Sequence, residues 1–213
     1  MKKIILAIET SSNICSVSLF RDGNNIDVIE NLINKKHDEL LSEYTQSILK
    51  NNQLKVIDID TISVSIGPGS FTGLRVGLSF AKGIAYAIKC SIIPVPTILS
   101  LAYSLKDKEP LNGIIHSHGN KVFFQEFNWD KGIPSIKNKP ILGNINDFKD
   151  KIRYGFQYNC GKMLKNRNDV FNVKPSSINI GALSYLYYSE WNNPKPHDLI
   201  SDYFYPYKII PNI

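Results

Sequence analysis

Short apolar runs broken by polar turns open the chain, and helical spacing then takes over; these changes lay out its elements. Residues 3–8 form an apolar strand, and Glu9-Thr10-Ser11-Ser12-Asn13 a polar turn. Residues 15–20 alternate with the period of two that marks a half-buried strand. Asp22-Gly23 is a hairpin turn, and residues 26–32 are a third strand. Across residues 37–54, Leu40, Leu41, Tyr44, Ile48 and Leu49 recur at helical spacing. A strand over 61–66 stops at a Gly-Pro-Gly turn, a helix covers 71–88, a strand covers 92–95, and Pro96-Thr97 opens a helix to about Leu105.

Beyond residue 105 the same order recurs more loosely. Strands are predicted over 111–116, 121–127 and 135–139, with Trp129-Asp130-Lys131-Gly132 as a turn. A helix over 145–152, a strand over 154–159, a helix over 177–191 and a last strand over 203–209 follow. Strands in a meander, then helices and strands in alternation, make a sheet covered by helices. Two halves in this order predict an α/β chain with a duplicated ribonuclease-H-like fold, as in actin, Hsp70 and sugar kinases, with the second domain reduced. Lys106-Asp107-Lys108-Glu109-Pro110 is the expected boundary, dividing a first domain, 1–105, from a second, 106–213.

The densest signal runs from Ser65 to Gly77. Gly67 and Gly69 can adopt backbone angles closed to other residues, and Ser70 is a good N-cap. Strand, glycine turn and capped helix leave amide donors at the helix mouth, which suits an anion. Glu9, Thr10, Ser11, Gly67, Gly69 and Ser70 are therefore candidates for nucleotide or phosphate binding, although many tight turns of this shape bind nothing. The following helix has three faces. One is polar, with Thr72, Arg75, Ser79, Lys82, Tyr86 and Lys89; one is apolar, with Leu74, Leu78, Phe80, Ile84 and Ile88. The third is nearly bare, with Gly73, Gly77, Ala81 and Ala85. Glycine inside a helix costs about 1 kcal/mol against alanine, so the bare face implies close approach of another backbone, from this chain or from a partner.

At 213 residues the chain has room for one large or two small domains. Its formal net charge is +6, unevenly placed: ten basic against nine acidic residues up to Leu105, and fifteen against ten beyond. The second half could therefore meet nucleic acid, with Lys162, Lys165 and Arg167 as candidates. No apolar run is long enough for a membrane span, and the start reaches Glu9 too soon for a signal peptide. Cys15, Cys90 and Cys160 are odd in number and lack metal spacing, as reduced cysteines of a cytoplasmic protein do. Of the four histidines, His37, His116, His118 and His197, none are four apart, the spacing that puts a metal-binding pair on one helix face. His116 and His118 would share one side of a strand, but no third ligand is evident. No metal site and no catalytic residue is expected.

Three blocks carry a family resemblance: Ile5-Leu6-Ala7-Ile8-Glu9-Thr10-Ser11 with Cys15-Ser16-Val17-Ser18-Leu19, then His37-Asp38-Glu39-Leu40-Leu41, and above all Ser65 to Ala85 with its Gly-Pro-Gly-Ser-Phe-Thr-Gly-Leu-Arg core. In these the chain resembles the bacterial TsaB (YeaZ) family, over roughly its first half. The second half departs from the family pattern: His116-Ser117-His118-Gly119-Asn120 stands where the family has an Asp-Ala-Arg-Arg type of turn. The resemblance implies a non-catalytic subunit in the synthesis of threonylcarbamoyladenosine (t6A) on tRNA. It further implies pairing with the transferase TsaD, attendance by the ATPase TsaE, and contact with tRNA through the complex, with ATP and metal held only by the partner subunits. It implies an interface on His37, Leu40, Leu41, Tyr44, Ile48, Gly73, Arg75, Gly77, Ala81 and Ile84, through which the chain would form a homodimer when alone. Two other classes stay open: an active phosphotransferase or ATPase working at Glu9, Thr10 and the 67–70 turn, and a metallopeptidase-like enzyme. At that turn the isolated chain is expected to bind nucleotide weakly or not at all, since no lysine or acid pair flanks it.

Overall fold

The computed structural model describes residues 3–33, 37–164, 167, 169–193, 195 and 198–199. Strands β1 (Ile4–Glu9), β2 (Ile14–Arg21) and β3 (Asn24–Leu32) form an antiparallel meander. The chain then crosses through α1 (His37–Asn51) to β4 (Thr61–Gly67), and through α2 (Phe71–Ile88) to β5 (Ser91–Pro96). β4 lies parallel to β1 and β5 parallel to β4, so the sheet order is β3-β2-β1-β4-β5. Parallel neighbours need a crossover long enough for a helix, and the two helical stretches in the sequence supply it.

The second half repeats this order with shorter parts. After α3 (Thr97–Tyr103) come β6 (Asn112–His118), β7 (Lys121–Asp130), β8 (Ile133–Ile136) and β9 (Ile141–Asn144), then β10 (Gly155–Tyr158), α4 (Gly161–Leu164), β11 (Val170–Asn172), α5 (Ser177–Leu186) and α6 (Tyr188–Trp191). The second sheet runs β11-β10-β6-β7-β8, with β9 also paired to β7. β6 stands where β1 stands in the first sheet, β7 where β2 stands, and β10 and β11 where β4 and β5 stand. The duplication expected from the sequence is thus visible in strand order and direction: this is an α/β, two-sheet, duplicated ribonuclease-H-like fold with a reduced second half.

Helices α1 and α2 cover one face of the first sheet, burying Leu41, Ile48, Leu78 and Ala81 against Leu6, Val17, Ile62 and Val64. The other face of that sheet meets α3 and α5, and beyond them lies the second sheet: Ala7, Ile93, Ile98, Leu101, Phe123, Phe156, Ile180 and Leu183 form one cluster. The strands of the first sheet end at Pro96 and those of the second begin at Asn112, while α3 and α5 pack between the two sheets. α5, far along the chain, returns to pack on the first sheet, where the benzene ring of Phe20 fills the space a Gly181 Cβ would need.

Local chemistry accounts for the differences from the sequence expectation. The helix expected over 145–152 is one 3-10 turn, Ile145–Asp147. Asn144 caps it by accepting from the Asn146 amide (3.0 Å), and Asp147 accepts from the Asn144 amide (3.1 Å), which closes a single turn. The helical spacing of Ile145, Phe148 and Ile152 instead points three buried side chains into one cluster with Val122 and Phe124. The helix expected over 177–191 breaks at Tyr187 (φ −100°, ψ 22°), leaving α5 and α6. β8 lies two residues earlier than expected, and β9, α4 and β11 were not anticipated. The strand expected over 203–209, together with Lys165 and His197, lies outside the described residues.

Candidate functional site

The β1–β2 turn and the β4–α2 turn meet at one end of the first sheet, because β1 and β4 are parallel neighbours whose carboxyl ends lie side by side. Six candidates from the sequence come together there: Glu9, Thr10 and Ser11 on the first turn, and Gly67, Gly69 and Ser70 on the second. The contact is backbone to backbone. The Ser70 amide donates to the Ser11 carbonyl (2.6 Å), and a Cβ at Gly69 would run into that same carbonyl. The Gly67 amide donates to the Thr97 hydroxyl (3.2 Å), and the Gly73 amide to the Ser70 hydroxyl (3.2 Å). Gly67, at φ +116°, holds a conformation that favours glycine. Three amides that an anion would need thus already have acceptors within the chain. Their engagement weighs against the phosphotransferase alternative at this turn.

Glu9 is fully buried. One carboxyl oxygen accepts from the Ser11 amide (2.5 Å), and the other, Oε2, has no hydrogen-bond partner among the described residues. Burial pushes its carboxyl up to about 7; Ser11 and Ser65 pull the other way, and the charge of Glu30 adds to the rise. Among the described residues no three His, Cys, Asp or Glu side chains converge on a point that could hold a metal ion. Burial pushes the Cys15 thiol, with help from Glu9, and the Cys160 thiol up to about 12, which keeps both protonated and unreactive.

The bare face of α2 does not open outward as a groove for a partner. Its neighbour is the β1–β2 turn: a Cβ on Gly73 would overlap the Thr10 carbonyl oxygen, and one on Gly77 would overlap the Thr10 hydroxyl. That hydroxyl donates to the Gly73 carbonyl (2.8 Å). Six of the ten candidate interface residues are accordingly buried inside the chain: Leu41, Tyr44, Ile48, Gly73, Gly77 and Ala81. The Tyr44 hydroxyl accepts from the Asn31 side chain (2.9 Å). His37 is half-buried and its Nε2 donates to the Ser12 carbonyl (2.9 Å), tying the start of α1 to the same turn. Leu40 and Ile84 are half-buried at the core edge, and Arg75 is exposed, 3.6 Å above the Phe71 ring. Sequence spacing alone could not reveal this orientation, since the filling residue lies 63 positions away.

A different, outward stripe of α2 was missed. Thr72, Ser79, Gly83 and Ala87 are exposed and small, and a Cβ on Gly83 would meet nothing within 4 Å. Beside it Val76, Phe80, Ile84 and Ile88 are only half-buried. The neighbouring outer face of α1 is acidic and polar, with Asp38, Glu39, Ser42, Glu43 and Gln46 exposed. The signal was in the sequence: Ser79, Gly83 and Ala87 recur at helical spacing.

Comparison with known proteins agrees with this architecture. Residues 28–125, from β3 into β7, match the family model for TsaD, the tRNA N6-adenosine threonylcarbamoyltransferase. The chain is 31% identical over 125 residues to the tRNA threonylcarbamoyladenosine biosynthesis protein TsaB of Haemophilus influenzae, a match covering 57% of this chain and 52% of that protein. It is 30% identical over 157 residues to TsaB of Buchnera aphidicola subsp. Baizongia pistaciae, covering 71% of each chain. The matched part thus spans about half of the first relative and more of the second. The solved structure of YeaZ from Pseudomonas aeruginosa superposes with a TM-score of 0.80 at 16% identity, over 94% of this chain and 99% of that one, which establishes the shared fold. With sequence identity of 30% running through more than two thirds of a curated TsaB, and the fold shared nearly end to end, the chain belongs to the TsaB family.

Proposed function

We propose that the chain is a non-catalytic subunit of the machinery that makes t6A on tRNA, and that it pairs with a TsaD-type transferase through the outer faces of α1 and α2. The observation that carries this is a double likeness. The match to the transferase family model, residues 28–125, contains α1, β4 and α2, while 30% identity to a TsaB runs over 157 residues of the same chain. Two chains sharing one helical surface can pair it about a pseudo-two-fold axis, as in an isologous contact. The small stripe of α2 supports close helix approach, and the half-buried Val76, Phe80, Ile84 and Ile88 supply apolar area at its side.

On this basis the chain works alongside tRNA in the cytoplasm, a TsaE-like ATPase joins the pair, and ATP and metal belong to the partner subunits. The test is co-expression with a TsaD-type transferase followed by affinity capture and by assay of t6A in cells lacking the chain. Retention of the transferase and restored t6A are expected. A folded chain that captures no transferase, or that restores t6A without it, would overturn the proposal.

A further inference from the structure

A cavity of about 600 Å³ lies in the second half, at the carboxyl ends of its parallel strands. β6, β10 and β11 run parallel, so their carboxyl ends gather on one side. Open α/β sheets bind ligands in the crevice at these ends, where the strand order reverses. Here β6 is that point, with β7 on one side and β10 on the other. The cavity opens there, with His116 in β6, Tyr158 in β10, Asn159 after it, Lys162 on α4 and Asn120 in the β6–β7 turn.

The chemistry of this wall is specific. None of the described residues lining it is acidic. Lys162 is exposed and has no ion-pair partner among the described residues. His116 Nε2 faces the Gly119 carbonyl oxygen (3.1 Å), which can only accept, so that nitrogen carries the proton. Its Nδ1 is left to face the cavity's contents. The side chains of Asn120 and Asn159 each offer a donor and an acceptor with no partner among the described residues. Tyr158 is half-buried and its hydroxyl donates to Asn13 Oδ1 (3.0 Å), which holds the ring as a fixed platform against the β1–β2 turn.

We propose that this cavity binds a phosphate-bearing nucleoside, with the phosphate at Lys162, the base against Tyr158, and the base edge met by Asn120 and Asn159. The volume falls within the usual range for small-ligand sites, roughly 300–1,000 Å³, and exceeds what a bare phosphate fills. An aromatic face beside a cation is the pairing used to stack bases and hold their phosphates. Arg167, a candidate cation from the sequence, takes no part: it pairs with Asp169 and donates to the Lys149 and Ile152 carbonyls (both 2.7 Å). The nucleoside could be free or part of an RNA strand.

The purified full chain, without partners, is titrated with inorganic phosphate, AMP and a short single-stranded RNA, followed by NMR shifts and fluorescence anisotropy. AMP or RNA is expected to bind more tightly than phosphate and to perturb Tyr158 and Asn159. Lys162→Glu should weaken binding by about tenfold and lower the salt slope for RNA by about 1. Tyr158→Ala should weaken it too, and by more than Tyr158→Phe, which keeps the ring and loses only the bond to Asn13. RNA binding tighter than AMP identifies the strand as the source; equal binding identifies the free nucleotide. The proposal is overturned if neither binds in the millimolar range, if phosphate binds as tightly as AMP, or if folded Lys162→Glu binds like the parent. Because the chain is tested alone, failure here leaves the pairing with a transferase standing.

Discussion

The hydroxyl of Thr10 donates to the carbonyl of Gly73, 2.8 Å away, and the carbonyl of Thr10 occupies the space where a Gly73 Cβ would stand. α2 is therefore keyed to the β1–β2 turn by two glycines, Gly73 leaving room for the Thr10 carbonyl and Gly77 for its hydroxyl. Replacing Gly77 by Ala removes that room where the neighbour is the Thr10 hydroxyl, and should destabilise the chain by about 1–3 kcal/mol, as overpacking does. Gly73→Ala meets backbone, which yields less readily than a side chain, and should cost more. Urea denaturation would show both; parental stability of Gly73→Ala would disprove the keying.

Gly83, on the same helix, should behave in the opposite way. It is exposed, and an added Cβ would meet nothing within 4 Å. Gly83→Ala should therefore raise stability by up to about 1 kcal/mol through helix propensity alone. Thermal unfolding of the two alanine variants side by side separates the inward glycines from the outward one.

A buried hydroxyl network joins the far end of the chain to the first sheet. Ser16 donates to Glu30 Oε2 (3.0 Å), and its oxygen accepts from the Ser177 amide (3.0 Å). With the Ser16 proton committed to the carboxylate, the Ser177 hydroxyl is the donor in their 2.7 Å contact. Lys174 pairs with the other oxygen of Glu30 (3.0 Å). Ser16→Ala leaves the Ser177 amide and hydroxyl without their acceptor in a buried place and should cost about 1–3 kcal/mol. Lys174→Ala, which removes an exposed partner, should cost less than about 1 kcal/mol. Equal losses in urea titrations would contradict this ranking.

Stability should also depend on pH through Glu9. Its folded-state pKa, about 7, lies above the ordinary value of 4.5 because of burial. Between these two values the folded chain holds a proton that the unfolded chain has released, so stability falls as pH rises through this window and levels off above it. The full effect is roughly 3 kcal/mol. Glu30 contributes with the opposite sign: burial acts against its ionised form, but Ser176, Lys174 and Ser16 outweigh it and hold the carboxyl below its ordinary value. That contribution is present above the ordinary value and lost as pH falls through the lowered one. Glu9→Gln should therefore abolish the decline between pH 4.5 and 7 and leave the acid-side loss; an unchanged profile would show that Glu9 is ionised throughout.

Much of the first sheet was legible because its strands read as an apolar run (β1) or as alternations (β2, β4) and its helices have strong apolar spacing. The second sheet was less so for physical reasons. β9 and β11 have four and three residues, too short for a periodic signal, and they depend on pairing with β7 and β10. Ile145, Phe148 and Ile152 have helical spacing, yet the Asn144 and Asp147 caps close the turn after three residues. At the site, the strand–turn–helix layout could be read directly, but not which way α2 faces. Gly73 and Gly77 announce a close neighbour without naming it, and only the fold shows that the neighbour is Thr10.

The outer face of α2 should decide partner binding. Gly83 lies on a stripe of small exposed residues with Ser79 and Ala87, flanked by half-buried Phe80 and Ile84. A helix of a transferase, or of a second copy of the chain, could approach closely only along such a stripe. Gly83→Trp places a large ring where open space exists, so the fold should survive. In the pair it should obstruct the helix crossing and cost on the order of 2 kcal/mol or more, as central interface changes do. Gly77→Trp drives its ring into Thr10 and should unfold the chain before any partner is met. Far-UV circular dichroism, sedimentation of the chain alone and capture of a TsaD-type transferase together separate the cases. Gly83→Trp should be folded, more monomeric than the parent and defective in capture; a folded Gly83→Trp that captures the transferase like the parent would place the interface on another surface.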